Sequence, residues 1–100
     1  YFLGNGATDT EFYQSGAFGT TIWVNGVATM EFAPLSTFKI VSGKDTVPDS
    51  KTSLQIGSDP VLSVRYWNGD VLEVIIYDTA LSDSDRESVE AYLNSKWAIY

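Results

Sequence analysis

Residues 69–97, GDVLEVIIYDTALSDSDRESVEAYLNSKW, decide the fold expected of this chain. Val71 to Tyr77 is almost entirely β-branched or aromatic, with Glu73 its one charge, the composition of a strand buried on most of both faces. Such a strand belongs at the centre of a sheet. Asp78-Thr79-Ala80-Leu81 then leads to Ser82, whose hydroxyl can accept from the free N–H groups of a following helical turn, with Asp85 three residues on. Asp83 and Asp85 sit near the positive end of that helix and Lys96 near its negative end. Val89, Tyr92, Leu93 and Lys96-Trp97 recur at three-to-four spacing, and Leu81, Val89, Tyr92, Leu93 and Trp97 are expected to anchor the helix to the sheet.

Upstream, short strands alternate with turn residues, the pattern of an all-β sandwich. Asn25-Gly26 between Thr20–Val24 and 27–32 is the strongest hairpin signal, because a two-residue turn of this kind needs positive φ at both positions. Further strands are expected over Thr10–Gln14, Leu35–Val41, Thr52–Ile56 and Val61–Trp67. Gly4-Asn5-Gly6 and the segment from Ser42-Gly43-Lys44-Asp45 through Pro48-Asp49-Ser50 read as turns and loops. Alternation places Ile22 and Val24 on one face and Trp23 on the other; Phe38 and Ile40 likewise oppose Lys39 and Val41.

Taken in order, Ile22-Trp23-Val24-Asn25-Gly26-Val27, Ile56-Gly57, Tyr66-Trp67-Asn68-Gly69, Leu72 to Tyr77, Ala80-Leu81-Ser82, Tyr92-Leu93 and Lys96-Trp97 resemble the C-terminal half of laminin G-like, concanavalin A-like domains. The resemblance covers about residues 20–97. It implies an antiparallel β-sandwich, a jelly roll, here with one C-terminal α-helix. It also implies a carbohydrate-binding or adhesion role on an extracellular or virion surface protein such as a tail fibre. Residues 1–100 are expected to form a single domain, the C-terminal part of a longer chain, since the sequence opens directly on Tyr1-Phe2-Leu3.

Composition narrows the chemistry. The six basic residues, Lys39, Lys44, Lys51, Arg65, Arg86 and Lys96, are scattered singly in a chain of net charge −7. They form no basic stripe for phosphates, so nucleic acid is not an expected partner. No apolar run approaches the roughly 18 residues of a membrane span, so no membrane insertion is expected. Cysteine and histidine are both absent. That removes thiolate and imidazole nucleophiles, bases and metal ligands together.

Glycoside hydrolysis, which some concanavalin A-like folds perform, requires two carboxylates roughly 5–10 Å apart. Glu73 has none at its same-face positions: two and four residues on stand Ile75 and Tyr77, and Asp78 lies at an odd offset. No catalytic residue is assigned and the chain is not expected to be an enzyme. Glu73 is expected to make a hydrogen-bonded or ionic contact, with Arg65 as the neighbouring candidate.

Sugar binding needs an aromatic face for the ring's C–H surface and polar neighbours for its hydroxyls. Trp67, Asn68 and Asp70, with Tyr66 and Asp59 nearby, form the best cluster of that kind. The opposing reading packs Trp67 into the core and leaves Asn68-Gly69 as a plain turn. Trp23 is a second aromatic candidate with the same ambiguity. Calcium, which the resemblance allows at a loop rim, receives no ligand set, because Asp9, Asp45, Asp49, Asp59 and Asp70 are spread singly. No cofactor or metal residue is assigned.

The expected function is thus a non-catalytic recognition module, its partner a glycan or cell-surface receptor. The alternative is a structural assembly domain of a fibre or virion protein. About seven strands would leave sheet edges to be covered, by the rest of the chain or by copies in a homo-oligomer such as a trimer.

Overall fold

The structure, a computed structural model, describes residues 2–5, 12–15, 21–31, 33–34, 36–45, 56 and 67–100. Strand β1 (Phe2–Asn5) pairs antiparallel with β2 (Phe12–Ser15), Phe2 opposite Ser15 and Asn5 opposite Phe12. Strand β3 (Thr21–Val24) is the centre of a second, three-stranded sheet ordered β4-β3-β5, with β4 at Val27–Ala28 and β5 at Val41–Lys44. Both of its pairings are antiparallel.

Asn25 and Gly26 close the β3–β4 hairpin with φ of 50° and 79°, the two positive values that the Asn-Gly pair suits best. Asn25 also fastens the third strand. Its N–H donates to the Ile40 carbonyl at 2.9 Å, and its Oδ1 accepts from the Ile40 N–H at 3.0 Å. Pairing with β5 starts at the next residue, Val41 opposite Val24. The strand expected over Leu35–Val41 is therefore displaced to residues that read as a loop. Likewise, Gly4 and Asn5 lie within β1 rather than in a turn.

Alternation along β3 holds: Ile22 and Val24 are buried and pack with Met30, while Trp23 points the other way. Ile40 is buried as expected, but Phe38, assigned the same face, is exposed.

Helix α1 spans Asp83–Trp97, with Ser82 as its N-cap. The Asp85 N–H donates to Ser82 Oγ at 3.2 Å, and Ser82 Oγ donates to Asp85 Oδ2 at 2.6 Å. At the other end Ala98 takes a left-handed conformation, φ 52°, and its N–H donates to the Asn94 carbonyl. The Asn94 side-chain oxygen then accepts from the N–H groups of Ile99 and Tyr100, turning the C-terminus back on the helix.

The helix lies on the Trp23 side of the sheet, and of its expected anchors Leu81, Val89 and Leu93 are half-buried. Its buried residues are Arg86 and Glu90, whereas Tyr92 and Trp97 are exposed. The Arg86 guanidinium stacks 4.2 Å from the Trp23 ring centroid. A turn later, Glu90 Oε2 and the Tyr100 hydroxyl reach Gly26: a Cβ there would stand 3.7 and 3.6 Å from them. With Lys44 Nζ 3.6 Å from Asp83, α1 runs alongside β3 in the same direction.

This arrangement overturns the expected β-sandwich jelly roll. The described residues form one three-stranded antiparallel sheet, a separate two-stranded ribbon and one helix, which is too small and too incomplete for two packed sheets. The expected central strand over 71–77 makes no ladder with any described residue. Val71, Val74 and Ile76 are 53%, 48% and 62% exposed. β-propensity measures fit to a pleated neighbour, and no described strand lies beside this segment. The strands expected over 52–55 and 61–66 lie outside the described residues.

Candidate functional site

Residues 67–70 form an irregular segment with a bend at Gly69, and Trp67, Asn68, Gly69 and Asp70 are all exposed. Trp67 retains 46% of its accessible surface. Its ring folds back over the bend, so closely that a Cβ at Gly69 would lie 2.9 Å from Trp67 Nε1. A side chain at Gly69 would therefore displace the indole from this position. Among the described residues, no hydrogen bond or ion pair engages the Asn68 or Asp70 side chain. Their polar groups face water beside an aromatic ring. Tyr66 and Asp59, the other two members of the expected cluster, lie outside the described residues.

Trp23, the second aromatic candidate, does not stand open. The Arg86 guanidinium covers its ring, and Arg86 is itself held by Glu90 Oε1 at 2.6 Å and Glu87 Oε1 at 3.2 Å. Sequence periodicity missed this pair because Arg86 and Glu90 interrupt the apolar count. Their i,i+4 spacing was the available signal.

Glu73 meets the helix end. Its Oε2 accepts from the Trp97 indole N–H at 2.8 Å and from Lys96 Nζ at 3.0 Å. The indole hydrogen bond, followed by that of Lys96, holds its carboxyl below the ordinary carboxylate range. Reciprocally, Glu73 and then Tyr92 raise the Lys96 ammonium above the ordinary lysine value. Arg65 lies outside the described residues.

No group of three acidic side chains converges on a point among the described residues. Of the calcium candidates, Asp45 and Asp70 are described, while Asp9, Asp49 and Asp59 are not. Nor is any helix there long and apolar enough to cross a membrane. What the segment 67–70 can do chemically is expose an aromatic ring, a carboxamide and a carboxylate within four residues of chain. Comparison with protein-family models, with curated proteins and with solved structures finds no match for this chain.

Proposed function

We propose that the chain is a non-catalytic recognition module for glycans, on an extracellular or virion surface protein, with Trp67 as the stacking face and Asn68 and Asp70 as the groups that orient sugar hydroxyls. One observation carries this reading: a tryptophan left 46% exposed beside two polar side chains that have no partner among the described residues. Tryptophan is ordinarily among the best-buried side chains on average, so leaving it in water forgoes core area. A sugar ring would cover the indole, and its hydroxyls would satisfy the amide and carboxylate.

A glycan array on the wild type and on Trp67→Ala tests the proposal. Loss of signal at an unchanged thermal midpoint supports it, whereas retained signal, or loss of folding in the variant, overturns it.

Structural assembly is a second reading, favoured by a different observation. Val71, Leu72, Val74, Ile75, Ile76 and Tyr77 are all exposed within one short segment. Such runs are the usual material of protein contacts.

A further inference from the structure

An asparagine followed by glycine carries an electrophile and a nucleophile in adjacent residues. The glycine backbone nitrogen, once deprotonated, can attack the asparagine Cγ. A C–N bond forms, the Cγ–Nδ2 bond breaks, and Nδ2 leaves as ammonia after taking up one proton from water, equal to the one the glycine nitrogen has lost. The resulting five-membered succinimide is opened by water at either carbonyl, giving aspartate or isoaspartate. No oxidant or reductant enters. Glycine is the favourable second residue because no Cβ obstructs the ring closure.

The fold decides which such pair can close. Asn-Gly occurs at 5–6, 25–26 and 68–69, and Gly6 lies outside the described residues. At Asn25 the side-chain carbonyl is held by the Ile40 N–H at 3.0 Å, and the Asn25 N–H is bound to the Ile40 carbonyl. The turn is further fixed at φ values of 50° and 79°. Swinging that amide onto the Gly26 nitrogen would break the bond that fastens β5. Asn94 is likewise pinned, by the N–H groups of Ile99 and Tyr100. Asn68 has none of these restraints: it is exposed, in no ladder, and its amide makes no hydrogen bond among the described residues.

We propose that Asn68-Gly69 is a site of spontaneous covalent modification, converting through a succinimide to aspartyl and isoaspartyl forms, while the fold shields Asn25-Gly26. The product adds a carboxylate beside Trp67 and Asp70 on a chain already at −7. The chemistry is independent of what the chain recognises.

The test is to incubate the folded full chain in mildly alkaline buffer, and a second sample in concentrated urea, and to follow both sites by peptide mapping and mass spectrometry. In the folded protein Asn68 should convert at least ~10-fold faster than Asn25, a factor equal to about 1.4 kcal/mol of barrier. In urea the two rates should converge. Equal rates in the folded protein would overturn the proposal, and so would a rate ratio that survives in urea.

Discussion

Arg86 is 8% exposed and Trp67 46%, the reverse of what their transfer free energies favour. Arg86 tolerates burial because its guanidinium stacks on Trp23 and donates to Glu90 and Glu87, although its Nε has no partner among the described residues. Arg86→Ala would strand the Glu90 carboxylate, 3% exposed, without its partner. The expected cost is ~3–5 kcal/mol, and the double variant Arg86→Met, Glu90→Leu should recover most of it. Urea unfolding of both variants checks this; equal losses would contradict it. Glu73 makes a different kind of prediction. Its folded carboxyl lies below the unfolded value, so its contribution is full above the unfolded value and is lost as pH falls through the folded one. The thermal midpoint of Glu73→Gln should therefore lie below wild type at neutral pH, with the gap closing in acid. A gap independent of pH would assign the contact no electrostatic part.

Helix α1 was the most legible element, and its two ends differ in how well they are made. Ser82 provides the expected cap, so Ser82→Ala should cost ~1 kcal/mol. Ala98 holds a left-handed conformation that suits glycine, and Ala98→Gly should stabilise by about 1 kcal/mol. Thermal melts of the two variants should move in opposite directions. The cap could be read because it depends on residues three apart in the chain. The docking face could not: apolar periodicity ranks Tyr92 and Trp97 above Arg86 and Glu90, and only the position of Trp23 across the sheet makes an arginine the buried residue. Asn25-Gly26 was legible for the same local reason as the cap. Its grip on Ile40, fifteen residues away, was not, and that grip is what shifts β5 from the expected 35–41 to Val41–Lys44.

Across the whole molecule, the expected jelly roll failed at the step from strand propensity to strand pairing. Residues 71–77 have the composition of a central strand but pair with no described strand and, Glu73 apart, are exposed; Glu73 joins them to the helix end. Of the candidate site, Trp67, Asn68 and Asp70 are described and all three are exposed, while Tyr66 and Asp59 lie outside the described residues. Whether the indole is buried was beyond sequence, because that depends on what the fold lays over it. On the assembly reading, wild-type protein should associate reversibly in sedimentation experiments. Ile76→Lys should weaken that association without unfolding the chain, since Ile76 is 62% exposed; a concentration-independent monomer would count against it. The recognition account is tested most directly by titrating an array-positive oligosaccharide into the protein while recording its tryptophan indole N–H resonances. With only Trp23, Trp67 and Trp97 present, the three signals can be told apart by substitution. The account predicts that the Trp67 resonance moves while that of Trp23, covered by Arg86, stays in place; a shift confined to Trp23 or Trp97 would contradict it.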